Sequence, residues 1–232
     1  SGSYASSTAY LTGMAAVKAS KSMIRLITEK GAEYLEKAPE EVDFDGEQVF
    51  AKDGSASISL KDIGNRAMAN NGKALEVTES HSSPVSPPPF MVGMAEIEMD
   101  QETCDFELVN YVAVVDCGTP INPAIARVQT EGGLGQGIGM ALYENVQYTD
   151  YGRMMNNSLM QYKIPTRIDY GHLNVEFESS YENAGPFGAK SIGEVVINTP
   201  LPAITDALSH AAGKRFYELP ITPEQIAMSN SL

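Results

Sequence analysis

Cysteine is scarce in this chain of 232 residues. Its two cysteines, Cys104 and Cys117, fall in segments that read as extended and show no C-x-x-C spacing, which excludes a zinc ribbon and a disulfide-stapled scaffold. Both are expected as buried free thiols of a protein in a reducing cytoplasm. Histidine is equally thin, since His81, His172 and His210 are dispersed and form no visible metal-ligand cluster. Positive charge is in deficit: 16 Lys and Arg stand against 30 Asp and Glu, a net charge of -14. No cationic excess is left to release counterions from phosphates, so nucleic acid and anionic membranes are poor partners. No window approaches the roughly 18 apolar residues of a membrane span, and no signal peptide precedes the first helix. Glycine is abundant between Gly132 and Gly139, but Ile138 and Met140 stand where G-x-G-x-x-G needs its third glycine, and no Gly-Lys-Ser or Gly-Lys-Thr follows. A nucleotide phosphate loop is therefore excluded.

What is present is a globular composition, 43% hydrophobic and 20% charged, in a chain long enough for one large domain or two lobes. It opens on Ser1-Gly2-Ser3-Tyr4 without an initiator methionine and reads as a processed or truncated piece, or the ordered part of a longer chain.

Apolar residues from Leu11 to Leu35 recur at helical spacing, predicting a helix from about Thr8 to Lys37, broken if anywhere near Gly31. Short strands follow around the turns Asp45-Gly46 and Asp53-Gly54, then a helix over Leu60–Asn70 closed by Asn71-Gly72 and an edge strand over Ala74–Val77. The Ser- and Pro-rich run to Pro89 is the best internal boundary. The expected division is a first lobe over 1–83, a connector over 84–89 and a second lobe over 90–232. Phe90–Met99 and Phe106–Asp116 read as a hairpin, and Asn122-Pro123 is a cap and first position for a helix reaching about Tyr143. A strand over Leu173–Phe177, a helix from Thr199-Pro200 to Gly213, an extended piece over Phe216–Leu219 and a last helix capped by Thr222 complete an α+β chain of two lobes of mixed sheet with packed helices.

Three stretches carry candidate chemistry. The first is Gly185-Pro-Phe-Gly-Ala-Lys-Ser-Ile-Gly-Glu194, in which three glycines and a proline turn the backbone and set a carboxylate beside the unshielded Gly193. Glu194 reads either as a reactive acid or base held against a bulky group, or as a first-turn acid favoured by the helix dipole. The second is Ser3-Tyr4-Ala5-Ser6-Ser7, a small-residue loop opening into a helix, which reads as an anion-holding terminus or as a plain serine cap. The third is the helix carrying Gln129, Gly132, Gly133 and Gln136 on one side, which reads equally as a ligand surface or a tight helix crossing.

Gly-Ala-Lys-Ser-Ile-Gly-Glu before a proline-bearing helix start resembles the signature of the molybdenum hydroxylases, the xanthine dehydrogenase and aldehyde oxidoreductase family, in the C-terminal part of their molybdopterin-binding subunit. The motifs Asp116-Cys-Gly, Asn122-Pro123, Gln129-x-Glu-Gly-x-x-x-Gln136-Gly137, Tyr162-Lys-Ile-Pro165 and Leu219-Pro-Ile-Thr-Pro-Glu224 are similar to that family along nearly the whole chain. The resemblance implies a molybdenum-cofactor-binding domain in which Glu194 is the catalytic base, Ser3, Tyr4, Ala5, Ser6, Ser7, Gln129 and Gly193 contact the cofactor, and no side chain ligates the metal. It also implies molybdopterin, as such or as its cytosine dinucleotide. It implies partners too: the remaining part of the molybdopterin subunit, an iron-sulfur subunit and an FAD-bearing flavin subunit. The implied reaction is hydroxylation of an electron-poor carbon of a purine, xanthine or nicotinate type of heterocycle, or oxidation of an aldehyde, with water as oxygen source. The competing reading is a non-catalytic scaffold domain of such a complex.

Overall fold

The computed structural model describes residues 4–229, and the chain divides into two compact units, Leu11–Pro84 and a unit made of Ser1–Tyr10 with Val85–Leu232.

In Leu11–Pro84, helix α1 (Thr8–Leu35), whose first residues belong to the other unit, runs without interruption past Gly31. That glycine is a contact: a Cβ there would fall 2.5 Å from the Val49 Cβ. Strands β1 (Val42–Phe44), β2 (Gln48–Ala51) and β3 (Ser57–Ser59) form an antiparallel sheet in that order. Ser59 then caps α2 (Leu60–Asn71) by accepting the Asp62 N–H, and Gly72 ends it at φ 64. Ile27, Ala32, Val42, Val49, Ile58 and Ile63 close this core. The expected strand at Ala74–Val77 does not form. Leu75 packs its side chain on that core, but the backbone around it joins neither sheet.

The other unit is built on a sheet of order β4-β5-β6. Strands β4 (Phe90–Met99) and β5 (Phe106–Asp116) pair antiparallel, and their turn is fixed by Asp100, whose carboxylate accepts the N–H groups of Glu102 and Thr103. Strand β6 (His172–Phe177) lies parallel to β5, an arrangement that needs a long crossover, here α3 (Pro123–Leu142) and the turns after it. Asn122 accepts the Ile125 N–H at the start of α3 with Pro123 in its first turn. Two further helices, α4 (Val195–Asn198) and α5 (Pro200–Ala212), follow the Glu194 loop, and α6 (Pro223–Ser229) ends the described chain. Leu108, Ile138, Ala141, Ile204, Leu208, Ile221 and Ile226 make the main core. Phe216–Leu219 joins no sheet: it bends at Glu218 and Leu219, and Phe216 packs on that core.

The glycines of α3 have a structural reason. A Cβ on Gly133 would lie 2.3 Å from Val196 Cγ2, and one on Gly137 would lie 2.8 Å from Pro200 Cβ, so both admit the chain that follows Glu194. Gly132, one residue away, faces open space. Gly133→Ala is thus expected to destabilise by about 1–3 kcal/mol through overpacking, whereas Gly132→Ala is neutral or gains up to about 1 kcal/mol of helix propensity. Thermal melting of the two variants side by side checks this, and equal melting temperatures would refute the packing account.

Candidate cofactor-binding and active site

The Glu194 loop is held from one side by the end of β5. Past Asp116, Gly118 pairs with Ala189, while the Lys190 N–H donates to the Cys117 carbonyl at 2.7 Å and the Thr119 N–H donates to the Gly188 carbonyl at 2.8 Å. Gly118 is required here: at φ 67, a Cβ would meet the Gly188 carbonyl oxygen at 2.2 Å. The Lys190 ammonium donates to Asp116 Oδ2, and the other carboxylate oxygen accepts from the Ser180 hydroxyl and, at 3.0 Å, from the Gly118 N–H. Burial pushes the Asp116 carboxyl up, but Lys190, Ser180 and Gly118 together outweigh it and hold the group below the usual carboxylate range. Burial also pushes the neighbouring Cys117 thiol up, as expected of an unreactive core cysteine. On the far side of the loop, the Tyr111 hydroxyl donates to Thr199 Oγ1 at 2.9 Å and ties β5 to the start of α5.

Glu194 itself emerges exposed at the head of α4. Its partner is Ser6, from the far end of the chain. The Ser6 hydroxyl accepts the Glu194 N–H at 2.8 Å and donates to Oε2 at 2.6 Å. Gly193 makes this approach feasible, since a Cβ there would sit 2.9 Å from Ser6 Oγ. The loop that carries Ser6 turns through Ala5 and Ser6, both at φ 51, a left-handed conformation costing about 1–2 kcal/mol for each such non-glycine residue. The Gln129 amide donates to the Gly193 carbonyl at 3.4 Å and holds the loop from the α3 side.

Ser6, Gln129 and Gly193 border a cleft of about 510 Å³, whereas Glu194 is not among its lining residues and stands beside it, bonded to Ser6. Ser6, Gln129, Lys190 and Gly193 line it together with Thr8 and Ala9 of the first turn of α1, and Ile121 and Ile125 form an apolar wall. Of the residues predicted to contact a cofactor, Ser6, Gln129 and Gly193 therefore meet at one place. Tyr4, Ala5 and Ser7 do not line the cleft; their turn is closed by the Ser7 N–H and hydroxyl donating to the Tyr4 carbonyl. Ser3 lies outside the described residues. The Tyr162–Pro165 segment does not line the cleft either; the Tyr162 hydroxyl donates instead to the Glu144 carboxylate. Sequence reasoning missed the roles of Lys190, Ser180, Ile121 and Ile125.

The donor set suits an organic cofactor better than a protein-ligated ion. The cleft offers hydroxyls, amides and a helix N-terminus over an apolar wall, and no group of three His, Cys, Asp or Glu side chains able to hold a metal occurs among the described residues. Over residues 1–170 the sequence matches the family described as the molybdopterin cofactor-binding domain. The chain belongs to that family. As a molybdopterin cofactor-binding chain it is 31% identical over 230 residues to the probable hypoxanthine oxidase XdhD of Escherichia coli, with 97% of this chain and 24% of the relative covered. It is 30% identical over 236 residues to the 6-hydroxypseudooxynicotine dehydrogenase complex subunit gamma of Paenarthrobacter nicotinovorans, covering 97% of this chain and 30% of that subunit. Its fold superposes on a Cu,Mo-CO dehydrogenase with a TM-score of 0.81 at 21% identity, over 99% of this chain and 30% of the other. The chain thus spans less than a third of the length of these relatives. No helix among the described residues is long and apolar enough to cross a membrane.

Proposed function

We propose that this chain is the C-terminal part, or a separately encoded smaller subunit, of a molybdenum hydroxylase acting on an electron-poor carbon of a purine or nicotinate type of heterocycle. The observation that carries this reading is the meeting of Ser6, Gln129 and Gly193 at one cleft, with the carboxylate of Glu194 bonded to Ser6, in a chain of the molybdopterin cofactor-binding family. The names of its relatives, a hypoxanthine oxidase and a dehydrogenase of an oxidised nicotine derivative, support the heterocycle class.

When bound, the molybdenum cofactor supplies the redox chemistry, taking up the electron pair that leaves the substrate carbon. Gln129 and the first turn of α1 would hold the pterin end, the helix N-terminus favouring its phosphate. Glu194 accepts the proton that a water-derived oxygen loses as the new carbon–oxygen bond forms, a task suited to a carboxylate within hydrogen-bond reach. The Asp116–Lys190 pair keeps the loop in place without touching the reacting atoms. Enclosure comes from the remaining part of the molybdopterin subunit, and electrons leave through iron-sulfur and FAD-bearing partner subunits. A scaffold role is disfavoured because scaffolding needs neither the strained Ala5-Ser6 turn nor an amide and a carboxylate placed together.

The test is molybdenum and released pterin per copy of the chain, measured on the complex isolated from its native source through a tag on this chain. About one of each per copy is expected, and a complete complex with neither would overturn the assignment.

A further inference from the structure

We propose that Ser6 is the positioning residue for Glu194, and that it dictates which carboxylate oxygen takes the proton. The inference rests on the reading of Glu194 as the base. A serine hydroxyl has one proton to give and lone pairs to receive with. Ser6 uses both functions on one residue, accepting the Glu194 N–H at 2.8 Å and giving its only proton to Oε2 at 2.6 Å. Backbone and side chain of Glu194 are thereby fixed through a single atom. One lone pair of Oε2 is engaged by the Ser6 donor, which makes that oxygen the less basic of the two, whereas Oε1 accepts no hydrogen bond among the described residues. Oε1 is accordingly the oxygen that accepts and later returns the proton, and Ser6 sets the direction in which it points.

Two features support a built arrangement. Gly193 leaves the space Ser6 occupies, since any Cβ at that position would collide with the Ser6 side chain. The chain also keeps two successive residues at φ 51, Ala5 and Ser6, to bring the hydroxyl there. Gln129 fixes the other flank through the Gly193 carbonyl, so the loop is held from two sides while Ser6 is the one hydrogen-bond donor to the carboxylate among the described residues.

The experiment compares the assembled complex carrying Ser6→Ala, Ser6→Gly, Glu194→Gln and the double variant Ser6→Ala/Glu194→Gln, each assayed for kcat and KM and for molybdenum and pterin per chain. Loss of an outer partner that orients a reacting group costs on the order of 10- to 100-fold, so kcat should fall by that factor in Ser6→Ala with KM and molybdenum content unchanged. Ser6→Gly relieves the positive φ but lacks the hydroxyl, and it should lose as much as Ser6→Ala; recovery in the glycine variant would mean a backbone role and overturn the proposal. Ser6→Ala should add nothing to Glu194→Gln, because a residue acting only through Glu194 has nothing left to orient. An additive loss, or loss of molybdenum in Ser6→Ala, would make Ser6 a cofactor contact in its own right and also overturn it. Full activity of Glu194→Gln would sink the base assignment itself. Full activity of Ser6→Ala beside an inactive Glu194→Gln would sink only the role of Ser6.

Discussion

Glu194→Gln in the assembled complex is expected to lower kcat by about 100- to 10,000-fold, the usual worth of a positioned general base, while molybdenum and pterin content stay at the level of the parent. Glutamine keeps the size and planarity of the side chain. Its carbonyl can still accept from the Ser6 hydroxyl as Oε2 does, and its backbone N–H still donates to Ser6 Oγ. What it cannot do is take up a proton, so the loss belongs to chemistry and not to folding. Residual activity within tenfold of the parent would show that another group removes the proton. Among the lining residues of the cleft, Lys190 is committed to Asp116, and none carries a carboxylate that could take over the task.

The second large effect is expected at Lys190, for a different reason. Lys190→Met leaves Asp116 with its carboxylate four-fifths covered and the cation paired with it gone. Breaking a buried ion pair from one side costs about 3–5 kcal/mol. The low end applies here, because Ser180 and Gly118 continue to donate to the stranded oxygen. The ammonium also stands 5.5 Å over the Phe90 ring, so its loss removes a second contact. The loop that ends in Glu194 starts from this residue, and a displacement of about 1 Å at a reacting group can cost on the order of 100-fold in rate. A lower melting temperature and reduced kcat are therefore expected together. Asp116→Asn in the same chain should restore part of the stability, since a neutral amide no longer needs a cation. Acid acts on the same pair. Asp116 is held below its unfolded value of roughly 3.9. The stability it contributes is therefore present above that value and lost as pH falls through the folded one. The Lys190→Met variant should show a weaker loss over that acid range. Unchanged melting and turnover in Lys190→Met would refute the anchoring role.

Much of the fold was legible because its signals are local. Alternation and a turn place the β4–β5 hairpin at Phe90–Met99 and Phe106–Asp116, and Asn122-Pro123, Gly72 and Gly213 mark helix ends through geometry that few other residues supply. The misses arise where a side chain and its backbone do different things. Leu75 is apolar enough to suggest an edge strand, yet it packs inward from a backbone that forms no ladder. Gly31 looks like a helix breaker and is a contact with Val49 instead. In the candidate site the residue types were legible and their pairings were not. Nothing near Lys190 in the sequence names Asp116, 74 positions earlier, as its partner. Nothing distinguishes Ser6 from Ser7 as the serine that meets Glu194, and the glycines of α3 admit Val196 and Pro200, which only the packed helices reveal.

The Ser6–Glu194 contact spans 188 positions of sequence. During synthesis Ser6 leaves the ribosome long before its partner exists, and the two can meet only after all the residues between them have been released. Closing so long a loop carries an entropic cost that local contacts do not share, so this junction forms among the last. The surrounding sheet and helices can be complete while the cleft is still open on the side of residues 4–7. Until that junction closes, Glu194 lacks the hydroxyl that holds its backbone and side chain, so the carboxylate acquires its orientation only at the end of folding.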